Sequence, residues 1–584
     1  MRKIIALVLA VAITLLTFNS CGKRESSTPK LTYLYNNGES HQAIGEYIQT
    51  ALKISGIRVS LENQEWGTFL TTRKSGEYIM ARSGWLADHS DPITFLDMWV
   101  STSGNNDAGL GKGDHAALRI YSLDLTPYGY EEKIENATWS ESYDRLIAVI
   151  KECKNENTRY ALMHLAEDMI INTGCIMPLY YYTDVYLVDT GLSGFYTNPL
   201  GYKYFTYANY KNGLPISVSL ASEPASMDPA LCSTVDSATM LSHLFSGLAK
   251  WKKVGDRVII VPDAAEELTQ GVVNEDGSLT YTYKLKEGML WSDGKPLTAF
   301  DFEFAWKRAA SKELGADYAY MFDGIAGYGT DEGLMVTAID ERTLTVTLTG
   351  YIPYWNELLA FPAFFPVRSD VVSNEAWSTS VSTYVSCGPY KLTRWEHNGI
   401  ITLSKDDGYF EQESIVSPKI NFYLSDDANN MLTNFKNGTL CLIDNLPTNE
   451  LNTLRERYPD EFKTEGQLGT YYVVWNVNAD ILPSSSNLSP EDAERAQAAI
   501  RKAISLLIDR NYICESLTAG GQIPASSFVA MGIKNPDGSE FYQTAGSGNG
   551  YYGYFDTGRE AFSKNVAYAM SVLKKYYPLE LPES

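Results

Sequence analysis

The sequence predicts a large mixed α/β protein, and three observations support this fold class. The chain has 584 residues, of which 44% are hydrophobic and 20% charged, which is enough for several packed cores. Amphipathic helical patterns and alternating strand patterns follow one another along the chain. Beyond the N-terminal region, we expect no stretch that is long and apolar enough to span a bilayer.

The N-terminus predicts an export signal that is not part of the fold. Arg2 and Lys3 precede an apolar run over residues 4–18. Cys21 then stands where a bacterial lipoprotein signal places its lipidated cysteine. We therefore expect a signal peptide over residues 1–20 and a polar tether over residues 21–30. The alternative is secretion without a lipid.

The first folded elements are predicted between residues 40 and 61. Residues 40–55 have the spacing of an amphipathic helix, and residues 57–61 alternate as a strand does. One face of that helix carries Ile44, Tyr47, Ile48 and Leu52.

Further elements are predicted along the rest of the chain. A helix over residues 156–172 stops before Gly174, and Ser489-Pro490 has the composition of a helix start, with a cap followed by a first-turn proline. Other stretches predict strands over residues 279–286 and 342–348, and a closing helix over residues 559–576.

Composition and motifs exclude several classes of function. The net charge of −23 argues against a nucleic-acid partner, which would require clustered lysine and arginine. The sequence contains no HExxH, GxSxG or P-loop motif, so an enzyme has little support, and we expect no cofactor and no metal. The seven cysteines form no CxxC pair and favour isolated buried thiols, although the sequence leaves their pairing open.

Tyrosine is abundant, with 40 residues. Its flat apolar ring and polar tip suit the lining of a wet binding cleft. Packing at strand edges is the alternative explanation for most of them.

Many separate segments resemble the family 5 solute-binding proteins of ABC importers, most closely their oligopeptide-binding branch. The segment LKEGMLWSDGKPLTAFDFEFAWKR, at residues 285–308, is similar to the signature region of that family. Further matching segments are SLASEPASMDPAL, CGPYKLTRW, AIRKAISLLIDR, GGQIPASSF, KLTYLYNNGESHQAI, NQEWGTFLTTR, ARSGWLADHSDPITFLDMW and MPLYYYTDVYLV. The resemblance implies a bilobed periplasmic-binding-protein-like fold of class II with an extra small domain.

The order of these segments departs from the family. The segments at residues 30–208 come last in the family, after those at residues 214–577. The chain therefore resembles a circular permutation joined through residues 209–213 (NYKNG). A deletion between tandem genes, or an assembly error, would give the same sequence.

This order gives a predicted domain organisation. Residues 1–20 are the signal peptide and residues 21–30 the tether. Residues 31–178 form the first segment of the ligand-binding lobe, residues 179–208 return into the other lobe, and residues 209–213 are a linker. Residues 214–510 form the family's N-terminal lobe, with a small domain at about residues 250–385, and residues 511–584 form the rest of the ligand-binding lobe.

The resemblance implies a receptor that captures short peptides between two closing lobes and delivers them to the permease subunits of an ABC importer. We expect an exported monomer, anchored only through its lipid at the outer face of the cytoplasmic membrane or in the periplasm.

The resemblance also implies ligand-binding residues. Asp88 matches the aspartate that receives the peptide α-ammonium group, and Gly84, Trp85 and Leu86 precede it, with Trp85 shaping a side-chain pocket. Three cationic or titratable side chains match positions that meet peptide C-termini: Arg82, Arg73 and His41. Two segments match strands that pair with the peptide backbone, and they include Glu223, Ala225, Tyr471 and Tyr472.

The sequence leaves alternatives open for the roles of these residues and for the ligand. Asp88 could be a turn or cap residue, Trp85 a core aromatic, and each arginine part of a structural ion pair. The ligand could be a dipeptide, nickel or a signalling peptide. A peptide hydrolase and a non-functional rearranged product are the remaining hypotheses.

Overall fold

A computed structural model describes residues 28–221, 223–224, 226–444, 446–544 and 553–579. The predictions for the signal peptide and for Cys21, and the predicted site residue Ala225, lie outside these residues. Within the described ranges, no helix combines the length and apolarity needed to cross a membrane.

The described residues form 23 β-strands. They are β1 (Lys30–Asn36), β2 (Arg58–Gln64), β3 (Met80–Leu86), β4 (Tyr121–Asp124), β5 (Lys133–Ala137), β6 (Ile176–Val188), β7 (Leu192–Ser193), β8 (Tyr196–Thr197), β9 (Lys203–Tyr204), β10 (Asn209–Tyr210), β11 (Ile216–Leu220), β12 (Ala249–Val254), β13 (Arg257–Pro262), β14 (Val272–Val273), β15 (Leu279–Lys284), β16 (Val336–Ala338), β17 (Thr343–Leu348), β18 (Tyr390–Glu396), β19 (Ile400–Lys405), β20 (Lys419–Leu424), β21 (Leu442–Ile443), β22 (Phe462–Trp475) and β23 (Ile523–Pro524).

The α-helices are numbered separately. They are α1 (Glu39–Ile54), α2 (Trp66–Ser75), α3 (Ile93–Leu96), α4 (Arg145–Glu152), α5 (Glu156–Thr173), α6 (Val235–Leu244), α7 (Ala299–Ala309), α8 (Trp355–Leu358), α9 (Ser369–Val372), α10 (Ala428–Lys436), α11 (Leu451–Arg457), α12 (Pro490–Leu506), α13 (Arg510–Tyr512), α14 (Phe541–Thr544) and α15 (Phe562–Leu573). Short 3₁₀ turns include Asp97–Trp99 and Ala319–Phe322.

One mixed sheet of 11 strands runs through the molecule, in the order β18-β19-β20-β11-β21-β6-β22-β3-β1-β2, with β23 paired to β6. We name its two ends by their strands. Lobe A contains β1, β2, β3, the adjoining ends of β6 and β22, and residues 87–175, which lead from β3 to β6. Lobe B contains β11, β18 to β21 and the opposite ends of β6 and β22.

The long antiparallel strands β6 and β22 pass from one lobe to the other. Their pairing is regular from Phe462 to Gly466, shifts register between Gly466 and Thr470, and shifts again between Tyr471 and Tyr472. Such a shift leaves residues unpaired and bends the strand. The lobes are therefore joined at a point where the ladder is weakest, which is the bilobed arrangement expected for the fold class.

Lobe A is held by helices on one face of β1 and β2. Helix α1 buries Ile44, Ile48 and Leu52, which recur at helical spacing. The same core contains Ile500 from α12 and Leu573 from α15. These three helices pack together although α1 and α15 lie at opposite ends of the chain.

A small domain contacts both lobes. We define it as residues 266–365, which contain the four-stranded sheet β14-β15-β17-β16 and helix α7. Helix α7 begins with a capping box in which Thr298 and Asp301 each bond the backbone of the other.

The predicted elements agree closely with the observed ones. The predicted cap Ser489 accepts from the backbone N–H of Asp492 at the start of α12, and Gly174 ends α5 in the left-handed conformation at φ 70°. The predicted closing helix is shorter than expected, because α15 starts only at Phe562 and gives way to turns after Leu573.

One boundary differs from the domain prediction. Residues 490–506 were assigned to the lobe of residues 214–510, but α12 packs in the core of lobe A. The chain enters lobe A within β22 because that strand pairs with both β6 and β3. The segment 209–213 consists of strand β10 and a turn at residues 211–213, where φ is 42°, 63° and 92°.

Candidate ligand-binding site

The candidate site follows strand β3. Along one edge, β22 pairs with the whole strand, from Leu86 opposite Gly469 to Met80 opposite Trp475. Along the other edge, β1 pairs only with Met80 and Ala81. Within the described residues, the second edge of residues 82–86 therefore has no strand partner and can accept an added strand.

Asp88 lies just beyond this open edge and is buried at 5% exposure. Its Oδ2 accepts hydrogen bonds from the Tyr320 hydroxyl at 2.8 Å and from Thr94 Oγ1 at 3.3 Å. Burial raises the pKa of Asp88 to about 7, although the bond from Tyr320 opposes that rise. No cation pairs with this carboxylate among the described residues, so a bound ammonium group would meet an unmatched acid.

Arg82 is at the other end of the open edge and is 9% exposed. Its Nε donates to Asn36 Oδ1 at 2.6 Å, and its guanidinium lies over the rings of Trp66 and Phe69 at 5.1 and 5.2 Å. None of the ion pairs found in the described part of the chain includes Arg82. It therefore presents a nearly buried cation without a carboxylate.

His41 and Tyr471 lie beside Arg82. The Tyr471 hydroxyl and His41 Nδ1 are 3.1 Å apart, and their rings stack with centroids 5.7 Å apart. Burial, aided by the charge of Arg82, lowers the pKa of His41 to about 3. The imidazole is therefore neutral near pH 7 and offers a polar contact rather than a second charge.

Arg73 is placed differently from Arg82. Its Nε forms an ion pair with Asp107 at 2.6 Å, and its Nη1 donates to Ser83 Oγ at 3.2 Å. A guanidinium that already holds a carboxylate has less to gain from a second one. Its assignment to a ligand carboxylate remains a prediction.

The central residues of the site lie on β3 and β22. Gly84 pairs with the buried Tyr471, and Leu86 pairs with Gly469. A Cβ atom on Gly84 would come within 2.2 Å of the Tyr182 hydroxyl, so Tyr182 would have to shift to admit a side chain there. The half-buried indole of Trp85 donates to Thr94 Oγ1 at 3.4 Å, which ties it to the Asp88 loop.

Tyr472 and Glu223 have side chains that are already engaged. Tyr472 is 2% exposed and packs edge-on against Phe528. Glu223 accepts from Trp395 Nε1 at 2.5 Å and from the backbone N–H of Asn398 at 2.8 Å. Both carboxylate oxygens of Glu223 therefore have donors, and a main-chain contact of Glu223 with the ligand remains a prediction.

Several residues of the site were not predicted from the sequence. Tyr320, Tyr318, Asn36 and Trp66 surround Asp88 or Arg82. Tyr320 and Asp88 are 232 positions apart, and Asp317-Tyr-Ala-Tyr has no pattern that marks a ligand contact. Only the fold brings these residues together.

The described residues contain no group of three or more His, Cys, Asp or Glu side chains arranged to hold a metal ion. The six described cysteines are free thiols, and all but Cys153 are buried.

Comparison with known sequences gives relatives over part of the chain. The chain is 30% identical over 346 residues to the oligopeptide-binding protein OppA of Bacillus subtilis, covering 57% of this chain and 59% of OppA. It is 31% identical over 337 residues to the dipeptide-binding protein DppE of the same organism, covering 56% of this chain and 58% of DppE. The chain thus spans about three fifths of the length of these relatives.

Two solved structures show the extent of the structural similarity. OppA of Burkholderia pseudomallei aligns at a TM-score of 0.49 and 23% identity, covering 63% of this chain and 67% of that one. The murein tripeptide-binding protein MppA of Escherichia coli aligns at a TM-score of 0.47 and 25% identity, covering 62% of this chain and 73% of MppA.

The family match is broader than any of these pairwise alignments. The model of the bacterial extracellular solute-binding proteins, family 5, matches two separate stretches, residues 14–107 and 260–575. The first stretch contains β3 with Asp88, and the second contains most of lobe B, the small domain and β22. Because these stretches make up more than half of the chain, the protein belongs to family 5 of the bacterial extracellular solute-binding proteins.

Proposed function

We propose that this protein captures short peptides between its lobes and delivers them to the permease of an ABC importer. One observation carries the proposal: an unmatched buried carboxylate and an unmatched buried guanidinium lie at the two ends of an open strand edge. A peptide has an ammonium group at one end, a carboxylate at the other and backbone donors and acceptors between them. These are the features that all peptides share, so this arrangement recognises peptides irrespective of sequence.

The spacing between Asp88 and Arg82 also supports a short peptide as the ligand. Asp88 and Arg82 are six residues apart, and the strand extends as far as Leu86, so their backbones lie at most about 20 Å apart at roughly 3.3 Å per residue. Side chains that reach toward a ligand from both ends would shorten that span. An extended peptide of about three to five residues fits the remaining distance.

Membership of the family supports a binding protein rather than an enzyme. We propose that the mature chain is a monomer anchored by a lipid on Cys21. The tether would then lead into β1 of lobe A, which carries Asp88.

We also propose that the chain is circularly permuted relative to its family. The family model matches it in two stretches, and the described ends are close together in space. A Cβ atom on Gly56 would lie 3.0 Å from Leu579, and two residues later Arg58 pairs with Lys30 at the start of β1. Ends that lie this close can be joined, and the turn at residues 209–213 opened, without disturbing either lobe. Reading the genomic order across both junctions tests this proposal.

The functional proposal is tested with the full chain purified under native conditions. Mass spectrometry of the ligands that copurify should find peptides, and pools of tri- to pentapeptides should raise the melting temperature. Dipeptides and nickel are the comparison ligands. A chain that carries no peptide and melts at the same temperature with every pool would refute the proposal.

A further inference from the structure

Lys151 on α4 bridges lobe A and the small domain. Its ammonium lies 3.3 Å from Asp97 of lobe A and 2.6 Å from Asp323 of the small domain. Burial alone would lower the pKa of Lys151, but the two carboxylates raise it well above its usual value. The side chain therefore stays charged, and a single cation is shared by two carboxylates that would otherwise repel each other.

Asp323 is connected to the ligand site through one turn of chain. It directly follows the 3₁₀ turn 319–322, and its backbone N–H donates to the carbonyl of Tyr320 at 3.0 Å. Tyr320 is the residue whose hydroxyl holds Asp88. The ion pair between Lys151 and Asp323 thus holds one end of the turn. At the other end of the turn, the Tyr320 hydroxyl contacts Asp88 of lobe A.

Apolar packing fills this junction only in part, although one hydrophobic core includes Leu96 and Ile147 on one side and Phe322 on the other. Lys151, Asp97, Asp323 and Tyr320 all line one cavity of about 430 Å³ between the two surfaces. Where side chains do not interlock, the position of a turn depends on the polar contacts that span the gap.

We propose that Lys151 is a positioning residue for the Asp88 site: by drawing Asp323 against lobe A, it holds the Tyr320 hydroxyl on the Asp88 carboxylate. This inference rests on the proposed function, in which Asp88 receives the ligand's ammonium group. Loss of Lys151 leaves Asp97 and Asp323 facing each other, so the turn moves away and takes Tyr320 with it.

The consequence is measurable as a pH dependence. Four ionisable side chains face Asp88: Asp97, Tyr202, Tyr318 and Tyr320. The hydrogen bond from Tyr320 lowers the pKa of Asp88, against the larger effect of burial. Without that bond the carboxyl keeps its proton to higher pH, and a cationic ligand must compete with the proton over a wider range.

The test measures the affinity of trialanine from pH 5.5 to 8.5 for the full chain and its variants. For Lys151→Met, we expect the midpoint of the pH dependence to rise by about one pH unit, with about tenfold weaker binding at pH 6. Lys151→Arg should restore the original midpoint. Lys133→Met removes an exposed lysine of lobe A that pairs with Glu135, and it serves as the matched control.

A double-mutant cycle separates positioning from a direct electrostatic effect. If Lys151 acts through Tyr320, then Lys151→Met combined with Tyr320→Phe should equal Tyr320→Phe alone. An unchanged midpoint in Lys151→Met, or effects of the two changes that simply add, would overturn the proposal. Should Lys151→Met fail to fold, Asp323→Asn takes its place in the same cycle. A parent chain that binds no peptide refutes the proposed function instead.

Discussion

The Tyr320 hydroxyl donates a hydrogen bond to Oδ2 of Asp88 over 2.8 Å, joining two residues that are 232 positions apart. The contact connects the small domain to lobe A. Asp88 is buried and hydrogen-bonded, and no cation among the described residues pairs with it. In the proposed function, the carboxylate that receives the ligand is therefore also the one that contacts the small domain.

Replacing Asp88 by Asn should weaken binding of free-amine tripeptides by about a hundredfold, because an amide cannot neutralise a buried ammonium. N-acetylated peptides of the same sequence should lose much less affinity. Isothermal titration of both peptides against the parent and variant chains makes the comparison. Equal losses for the two peptides would contradict the role given to Asp88.

The affinity of free-amine peptides should fall as the pH drops below about 7, where unliganded Asp88 becomes protonated. The ligand requires the carboxylate, so each bound peptide releases a proton in this range. The dissociation constant should rise by up to about tenfold per pH unit. Titration in buffers of different ionisation enthalpy detects the released proton, and binding that is independent of pH from 5 to 8 would contradict the prediction.

Arg82→Gln should weaken binding of peptides with a free carboxylate by roughly ten- to a hundredfold, since a charge-assisted bond is lost. Peptides with an amidated C-terminus should be nearly unaffected. Arg73→Gln is the informative comparison, because Arg73 already pairs with Asp107. If Arg73→Gln discriminates between the two peptides as strongly as Arg82→Gln, the two arginines share the ligand carboxylate.

Gly84→Ala should destabilise the fold by about 1–3 kcal/mol, because the added methyl group collides with the Tyr182 hydroxyl. Tyr182→Phe removes the nearest atom and should recover part of the loss in the double variant. Urea unfolding of the four chains gives the free energies. A variant Gly84→Ala with unchanged stability would show that Tyr182 moves aside freely.

Glu167 should make the protein lose stability as the pH rises. It is fully buried, its Oε1 accepts from the backbone N–H groups of Phe528 and Val529, and burial raises its pKa to about 8. The folded chain keeps a proton that the unfolded chain releases above its ordinary pKa. The contribution of Glu167 to the free energy of unfolding is therefore complete at low pH. It is lost between about pH 4.5 and pH 8, at roughly 1 kcal/mol per pH unit.

Glu167→Gln removes this titration while keeping an acceptor for both N–H groups. Its stability should change less than that of the parent chain between pH 5 and pH 8.5, as measured by urea unfolding. Parallel pH profiles for the two chains would show that Glu167 is already ionised in the fold.

The sequence by itself determined the local elements and the family. Helical spacing marked the buried face of α1, the Ser489-Pro490 pair marked the start of α12, and Gly174 marked the end of α5. The segment around Asp88 and Arg82 was found by resemblance, because its residues are contiguous. These features are local, so they can be read without knowing which distant parts of the chain meet.

The tertiary structure alone decided what surrounds those residues. It gave Asp88 its hydroxyl donor from Tyr320, paired Arg73 with Asp107, paired Arg82 with no carboxylate of the described residues, and placed α12 in lobe A. Periodicity indicates which face of an element is buried, but not which distant element covers it. Contacts between residues hundreds of positions apart depend on how the lobes and the small domain pack, and that packing is a property of the whole fold.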